Sequence, residues 1–521
     1  MVSYRSTRGD VTGATFEEVV LGGLAPDRGL YVPETIPTFT PQQIQAMADL
    51  SFEQLAMTIM SKFISTDEVP SADLERLIKA STVNFRDKNV TPVVKTGEYW
   101  TLELFHGPTF AFKDVALQFL GNLFEFFISR KEGSDKRLTI LGATSGDTGS
   151  AAIYGLRGKQ HVDCFITYPK GRVSLIQEQQ MSTVPDANIH CLRVEGTFDD
   201  CQDLVKAAFM DVRFRDEVKL GAVNSINWAR VLAQITYYFY AYFQVVKGRK
   251  FWHWGDGLVN FSVPTGNFGD ILAGYYAKQM GLPIGKLIVG TNENDILARF
   301  FSSGEYDKRP IAASLSPSMD ICVSSNFERY LFHLFGCDPA ALRELMEAFE
   351  SKPGTPKVSN KIGWAEPGKL AVNNEVLARA TSGDGFLAAR ADSKEVLECI
   401  AETYKKEKYL FCPHSAVGVV AAKKLGQLGH STVCLATAHP GKFYDNVKKA
   451  VDPLPPLPPA LAAVQTLPMR MTDLPNSSSA VQSHVLGNMT GGQGASKTFA
   501  GLPLVAFVPL AAVLGLMWYS A

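Results

Sequence analysis

The first hundred residues carry an amphipathic pattern of helical period. Apolar residues recur three and four positions apart in FEEVVLGGLAPDRGLYVPE and again in QQIQAMADLSFEQLAMTIMSKF, with polar residues between them. Such spacing places the apolar side chains on one face of a helix. We therefore expect residues 1–99 to form a separate N-terminal domain, a mainly helical extension of whatever follows.

From about Thr101 the pattern changes, because short β-rich apolar runs now alternate with stretches of helical period. RLTILGAT is followed by TGSAAIYGLRG, VDCFITYP by VSLIQEQQM, and NIHCLRVEG by DDCQDLVKAAFMDVRF. Strands and helices alternating at this spacing are typical of βαβ units and a parallel sheet. A long helical run, ARVLAQITYYFYAYFQVV, comes next, and the spacing of its aromatic residues indicates packing rather than a cofactor site.

A second series of the same kind begins with LVNFSVPTGNFGDILAGYYAKQMG and KLIVGTNEN and ends much later with STVCLATAHPGKF. The two series predict an α/β protein with two open, mainly parallel-sheet lobes, over residues 100–250 and 251–452. Ligands of open α/β sheets bind outside the carboxyl ends of the strands, so we expect the site in the cleft between the lobes. The stretch 353–367, rich in Gly, Pro and Lys, is expected to be a loop or an insertion.

After Asp452 the composition changes again, and residues 453–521 are expected to form a Pro-rich linker and an apolar tail. PLPPLPPALAAV is typical of a polyproline linker, residues 469–497 are polar and low in complexity, and residues 499–521 carry no charge. The apolar end is long enough to cross a bilayer. Three interpretations stay open: a C-terminal membrane anchor, the removed tail of a lipid-anchored protein, or an appendage without function.

The overall composition is that of an ordinary globular protein. Of 521 residues, 46% are hydrophobic and 20% charged, and the formal net charge is −1 at pH 7. This balance provides no global field for nucleic acid, so an anionic ligand must meet a local cluster of positive charge. The eight cysteines contain no C-x-x-C pair, which predicts reduced thiols and no metal site, and the N-terminus lacks a secretory signal. The expected location is the cytoplasm.

Two loops rich in small residues each connect a predicted strand to a predicted helix. Backbone N–H groups at such helix starts can approach an anion closely. Neither loop is a Walker A or G-x-G-x-x-G motif, which disfavours nucleotide binding. Each loop alone is equally well explained as a tight turn, but two of them suggest a ligand with two anionic ends. Their residues are Ser145, Gly146, Asp147, Thr148 and Gly149 in the first loop, and Gly266, Asn267, Phe268, Gly269 and Asp270 in the second.

A lysine stands at the predicted start of a helix in ELFHGPTFAFKDVALQFLGN. Lys113 is flanked by apolar residues, and such lysines usually extend their amine to solvent. If the amine is instead desolvated, it loses proton affinity and becomes a nucleophile able to bond an aldehyde. Both interpretations remain open on spacing alone.

Several motifs together resemble the threonine synthase family of the fungal and bacterial long-chain type. HGPTFAFKD, ATSGDTGSAA, SINWAR and PTGNFGD occur in the family's order, GGLAPDRGLYVPE resembles its leading motif, and the resemblance extends from about Met1 to Pro453. It implies the tryptophan-synthase-β-like fold of pyridoxal-phosphate (PLP) enzymes, fold type II. It also implies conversion of O-phospho-L-homoserine and water to L-threonine and phosphate. Alternatives are a related PLP phospho-lyase that forms a ketoacid, or a membrane-tethered homologue without catalysis.

The resemblance also implies roles for individual residues. Lys113 matches the lysine that binds PLP covalently, and Thr437 matches the hydroxyl that faces the pyridine nitrogen. The loop Gly266, Asn267, Phe268, Gly269 and Asp270 matches the one that holds the cofactor phosphate. Ser145, Asp147 and Thr148 match the loop that receives the substrate carboxylate. The role of Asp147 stays open, because a negative charge beside the phenolic oxygen of the cofactor would be unfavourable.

The substrate that the resemblance implies carries a carboxylate and a phosphate, so cations must converge on it. The candidates are Arg230, Lys170 and Arg172, with Arg5 and Arg8 as weaker ones. His106, His414 and His439 are expected to be structural, bonded to backbone or packed in the core. The expected assembly is a monomer or a homodimer, with membrane contact only through residues 499–521.

Overall fold

The computed structural model describes residues 2–247 and 257–490. Its N-terminal segment is mainly helical, as the pattern predicts, with two short antiparallel strands that place Tyr4 opposite Pro33. Three of its helices begin with a capping box, in which the hydroxyl of Thr15, Thr40 or Ser51 accepts a backbone N–H three residues later. The elements are β1 (Tyr4–Ser6), α1 (Phe16–Gly22), β2 (Tyr31–Pro33), α2 (Pro41–Ala46), α3 (Phe52–Met60) and α4 (Ser71–Thr82).

The first α/β series folds as the alternating pattern predicts. The next elements are β3 (Val93–Thr96), β4 (Tyr99–Glu103), α5 (Lys113–Ser129), β5 (Leu138–Ala143), α6 (Asp147–Leu156), β6 (Val162–Pro169), α7 (Leu175–Ser182), β7 (Ile189–Val194), α8 (Phe198–Met210), α9 (Val212–Val218) and β8 (Leu220–Gly221). Strands β7, β6, β5 and β8 lie side by side in that order and are all parallel. Every residue of β6 is buried, as expected for a central strand covered on both faces.

The second series forms the other lobe. Its elements are α10 (Trp228–Lys247), β9 (Val259–Pro264), α11 (Gly269–Gln279), β10 (Ile284–Thr291), α12 (Ile296–Ser303), β11 (Glu305–Asp307), α13 (Phe327–Leu334), α14 (Pro339–Glu350), β12 (Val358–Ser359), β13 (Gly363–Glu366), β14 (Lys369–Val372), α15 (Asn374–Ala378), β15 (Phe386–Arg390), α16 (Ser393–Glu407), α17 (Pro413–Lys424), β16 (Thr432–Ala436) and α18 (Tyr444–Lys448). Its six-stranded sheet has the order β15-β10-β9-β16-β4-β3, parallel except for β3. The aromatic helix α10 is almost entirely buried, which confirms that its rings serve packing.

Two local expectations differ from the structure. Strand β4 pairs with β16, Trp100 lying opposite Val433, so β3 and β4 belong to the sheet of the second lobe, although they precede the first lobe in sequence. The stretch 353–367 is not entirely a loop, because it contributes β12 and β13 to a four-stranded antiparallel sheet of order β11-β14-β13-β12. The first difference comes from a pairing between segments far apart in sequence, whereas β12 and β13 are short neighbouring strands in a stretch rich in Gly, Pro and Lys.

The expected linker after Asp452 is wrong for residues 453–490, which fold back onto the first lobe. They form α19 (Pro459–Ala463), β17 (Thr472–Leu474) and α20 (Ser478–Asn488). Strand β17 extends the first lobe's sheet beside β7, and Arg193 on β7 holds the carboxylate of Asp473 through both Nε and Nη2. Leu461, Val481 and Val485 are buried, so this segment contributes apolar residues to the core despite its proline content.

Within 2–247 and 257–490, no helix has both the length and the apolar character needed to cross a membrane. The apolar end 499–521, with the anchor predicted for it, lies outside the described residues.

Candidate active site

Lys113 opens α5 with its side chain buried, 9% of the residue being exposed. The loop before it lies against the loop that follows β16. Ala111 forms a β-bridge with Ala438, and the backbone N–H of Phe112 donates to the carbonyl of Thr437 at 2.8 Å. Lys113 and Thr437, both predicted site residues, therefore belong to two loops that fix each other.

The surroundings of Lys113 disfavour its charged form. Its Nζ lies 3.8 Å from Oδ2 of Asp147 and 4.6 Å from the centre of the Phe112 ring. Burial lowers the pKa of Lys113, and the charges of Lys442 and Arg230 lower it further against the opposing attraction of Asp147. An amine that loses its proton readily is the nucleophile that a covalent bond to an aldehyde requires.

A tight turn joins β5 to α6 and carries three predicted residues, Ser145, Asp147 and Thr148. The hydroxyl of Thr144 accepts hydrogen bonds from the N–H groups of Gly146 and Gly149, at 3.0 and 2.8 Å. Gly146 has φ of 137°, and a Cβ there would lie 2.5 Å from the side chain of Gln177. The turn thus requires glycine, and it sets the first turn of α6 beside Lys113.

Asp147 is the centre of a buried ion-pair network that includes a residue the sequence patterns do not single out. Nζ of Lys442, whose side chain is 0% exposed, lies 2.8 Å from Oδ1 of Asp147 and donates to the carbonyl of Thr109 at 2.8 Å. Nε2 of Gln177 also donates to Oδ1, at 2.9 Å. Burial would raise the pKa of Asp147, but the charges of Lys442 and Lys113 outweigh it and hold that pKa well below its usual range.

The second predicted loop joins β9 to α11, and its last residue has a left-handed backbone conformation. Phe268 has φ of 61°, and its ring packs among other buried aromatic rings. The carbonyl of Gly266 accepts from the Ser324 hydroxyl at 2.7 Å, and the carbonyl of Asn267 accepts from the backbone N–H of Asn326 at 3.1 Å. With these carbonyls occupied, the loop and the first turn of α11 can offer N–H groups to an anion.

Asp270 serves the packing of α11 through its side chain. Its Oδ1 accepts hydrogen bonds from the hydroxyls of Tyr237 and Tyr238 on α10, both at 2.7 Å. Burial raises the pKa of Asp270 to about 6, and the two hydroxyls limit that rise. What Asp270 can offer an anion is its backbone N–H in the first turn of α11.

Arg230 on α10 is a buried cation, and two of its nitrogen atoms have no hydrogen-bond partner among the described residues. It is 4% exposed, and its Nε and Nη1 have no hydrogen-bond partner among the described residues. Burial lowers the pKa of Arg230 to about 10, so the guanidinium stays charged at neutral pH. Its charge acts on Lys113, which places it in the same electrostatic cluster.

Of the other predicted cations, three have partners elsewhere and one is exposed. Lys170 is paired with Glu195 at 3.0 Å and with Asp473 at 3.4 Å, and Arg172 is exposed after β6. Of the two N-terminal arginines, Arg5 lies over an aromatic ring and Arg8 is held between two carboxylates; their partners are Phe332, Glu328 and Glu350.

The three histidines have structural partners, as predicted. Nε2 of His414 accepts from the backbone N–H of Ser318 at 3.2 Å, and burial lowers the pKa of His414 to about 3, so it is neutral. His106 pairs with Glu103 at 2.8 Å. His439 lies edge-on to the rings of Phe105 and Phe110.

A cavity of about 460 Å³ lies beside the loop that follows β16. It is lined by Glu103, Phe110, His439 and the proline-rich residues 454–458, among others. Neither Lys113 nor Asp147 lines it, so it is separate from the charged cluster.

Three family models match the chain along most of its length. The model described as the threonine synthase N terminus matches residues 3–82, that of the pyridoxal-phosphate-dependent enzymes residues 88–350, and the threonine synthase C-terminal model residues 415–485. Threonine synthase of Schizosaccharomyces pombe is 50% identical over 478 residues, covering 86% of this chain and 89% of that protein. The enzyme of Pseudomonas aeruginosa is 45% identical over 485 residues, covering 92% and 97%.

Solved structures give the same result. The crystal structure of PLP-bound threonine synthase from Brucella melitensis is 42% identical, covers 93% of this chain and 99% of that one, and superposes with a TM-score of 0.85. The crystal structure of threonine synthase from yeast is 44% identical, with coverage of 93% and 98% and a TM-score of 0.84. The chain therefore has the PLP fold type II architecture and belongs to the threonine synthase family of PLP-dependent enzymes.

Proposed function

We propose that the chain converts O-phospho-L-homoserine and water to L-threonine and phosphate, using PLP held covalently by Lys113. One observation carries the assignment of the site: a buried lysine at the start of α5 shares an electrostatic cluster with Asp147 at the start of α6 and Asp270 in the first turn of α11. Family membership supplies the reaction, a carbon–oxygen lyase acting on a phosphate ester.

The residues present fit PLP at both of its ends. Lys113 offers an amine of lowered proton affinity for the aldehyde, and the loop from Gly266 through Asn267, Phe268 and Gly269 to Asp270 offers N–H groups at the start of an 11-residue helix for the phosphate. Thr437, whose carbonyl is tied to the Lys113 loop, would face the pyridine nitrogen. When bound, PLP supplies an electron-accepting ring that stabilises negative charge on the substrate carbon next to the amino group.

The substrate would lie between the first loop and Arg230. Ser145 and Thr148 flank Asp147 at the start of α6, where N–H groups and the helix dipole favour a carboxylate. The Arg230 guanidinium, whose Nε and Nη1 have no partner among the described residues, can donate charge-assisted hydrogen bonds to the substrate phosphate. Of the three cations predicted for that phosphate, Arg230 is the one we retain, because Lys170 is already paired and Arg172 is exposed.

Proton transfer would fall to Lys113. In its neutral form, Nζ can take a proton from the substrate carbon next to the amino group and return it later. His414 is neutral and its Nε2 accepts from a backbone N–H, which leaves the ring proton on Nδ1. This ring is therefore a hydrogen-bond donor and not a base at neutral pH.

Product identification tests the proposal. The protein incubated with O-phospho-L-homoserine and PLP should release phosphate and threonine in equal amounts. Release of an α-keto acid and ammonia would indicate a degrading phospho-lyase instead, and no turnover would indicate a homologue without catalysis. After borohydride treatment, mass spectrometry should find the reduced pyridoxyl group on Lys113, and Lys113→Ala should abolish both colour and turnover. A label on another residue would contradict the site.

We further propose a cytoplasmic enzyme that works as a monomer or a homodimer, with membrane contact only through residues 499–521. The eight cysteines support this location, because all are free thiols and five are buried. Fractionation of cells expressing the full chain, or a chain ending at Met489, tests the membrane contact. Equal recovery in the soluble fraction would contradict it.

A further inference from the structure

Lys442 is the charged group closest to Asp147, yet the proposed reaction gives it no part. Its ammonium is 2.8 Å from Oδ1 of Asp147, whereas that of Lys113 is 3.8 Å from Oδ2. The Lys442 side chain is 0% exposed and also donates to the Thr109 carbonyl, four residues before Lys113. A buried lysine is unfavourable unless it is paired, so this geometry requires Asp147 to be ionised.

The pairing of Lys442 with Asp147 changes the proton affinity of the Lys113 amine. An opposite charge within about 4–6 Å typically raises the proton affinity of an amine by 1–3 pKa units. A lone Asp147 carboxylate would therefore keep Lys113 protonated and unreactive. With Lys442 beside it, Asp147 forms a pair of no net charge, and the second ammonium also repels a proton on Lys113.

We propose that Lys442 is a positioning residue that neutralises Asp147 and so keeps the amine of Lys113 free to lose its proton. The inference rests on the proposed function in taking the Lys113 amine as the reacting group. It also explains how an aspartate can stand in the first loop without leaving an uncompensated negative charge at the site. Lys442 acts through Asp147 and is not itself a catalytic residue.

The other charged or titratable groups acting on Lys113 come from its own helix and from three helices packed around it. They are Arg230 on α10, Asp270 on α11, Asp114 on α5 and His414 on α17. Arg230 lowers the proton affinity of Lys113 and Asp114 raises it, so their effects partly cancel. None of the four forms an ion pair with Asp147, so removal of Lys442 leaves Lys113 as the only ammonium partner of Asp147 within residues 2–247 and 257–490.

The test is a pH titration of the Lys113 amine in the full chain after removal of the cofactor. The rate of its reductive methylation by formaldehyde and borohydride is followed at each pH by mass spectrometry. Lys442→Met should move the midpoint upward by about one pH unit or more, since Asp147 is then unneutralised. Asp147→Asn should move it downward, and the double variant should lie between the two. Lys448→Met, an exposed lysine six residues away, is the matched control and should leave the midpoint unchanged.

An unchanged or lowered midpoint in a folded Lys442→Met protein would overturn the proposal, even if its unfolding temperature fell, because that outcome describes a purely structural lysine. If Lys442→Met does not fold, the proposal is tested by comparing the Lys113 midpoints of Asp147→Asn and of the double variant. Adding Lys442→Met to Asp147→Asn must then raise the midpoint, since it removes the repelling charge, and an equal midpoint would contradict us. The titration needs no turnover, so a failure of the proposed reaction, seen as no threonine from the wild type, is a separate result.

Discussion

Replacing Arg230 should make the protein more stable and less active. The guanidinium is 4% exposed, and its Nε and Nη1 have no hydrogen-bond partner among the described residues. An unsatisfied buried donor costs about 1–3 kcal/mol of stability, and more when it is charged. Arg230→Met removes the donors and the charge while keeping most of the side-chain volume. We therefore expect the free energy of unfolding to rise by about 1–3 kcal/mol.

The same change should remove two charge-assisted hydrogen bonds to the substrate phosphate. Each such bond contributes about 1.5–3 kcal/mol, and 1.4 kcal/mol is a factor of ten. The expected loss in kcat/KM for O-phospho-L-homoserine is therefore at least about 100-fold. Phosphate release gives the kinetics, and urea unfolding of the same preparations gives the stability.

Arg172→Met is the control, because Arg172 is an exposed arginine predicted for the same phosphate. It should change neither quantity. A wild-type kcat/KM in Arg230→Met would refute the assignment of Arg230 to the substrate. A fall in stability would refute the claim that its donors are unsatisfied in the protein without substrate.

Three further predictions follow from contacts at the edges of the site. Gly146→Ala should lower the free energy of unfolding, measured in urea, by about 1–3 kcal/mol. The φ of 137° at this position strains an alanine, and the added Cβ would displace the Gln177 side chain from Asp147. Asp270→Asn should stabilise the protein by about 3 kcal/mol at pH 8 and by little at pH 3. Burial raises the pKa of the Asp270 carboxyl from 3.8 to about 6 in the folded protein. Ionisation of this buried carboxyl therefore destabilises the folded protein as the pH rises through 6. A chain ending at Asp452 should unfold at a lower temperature and aggregate more than the full chain, because it exposes the edge of β7.

Local patterns predicted the strands and helices well, but not the partners of distant strands. The run RLTILGAT became β5, and VDCFITYP became β6, at the positions that their apolar residues indicate. Strand β4 was not among the predicted strands, and only the tertiary structure shows that Trp100 pairs with Val433 in the other lobe. The prediction of a linker for the C-terminal segment was wrong for a related reason. Its prolines suggest an extended linker, whereas the few apolar residues that dock it, such as Leu461 and Val485, are spread too thinly to form a pattern.

The candidate site likewise contains residues that local motifs indicate and one residue that they do not. Lys113 and the two loops can be proposed from the sequence because each lies in a contiguous motif with a recognisable turn. Lys442 was missed, although it follows Thr437 closely in LATAHPGKF, because a single lysine in a short apolar run is usually solvated. Its burial and its pairing with Asp147 depend on α6, which lies in the other lobe.

The charges around Lys113 suggest why the site is assembled from both lobes. Asp147 comes from the first lobe, whereas Lys442 and the loop before α11 come from the second. The electrostatic surroundings of the Lys113 amine therefore depend on residues from both lobes, because the carboxylate that attracts its proton and the ammonium that neutralises this carboxylate come from different lobes.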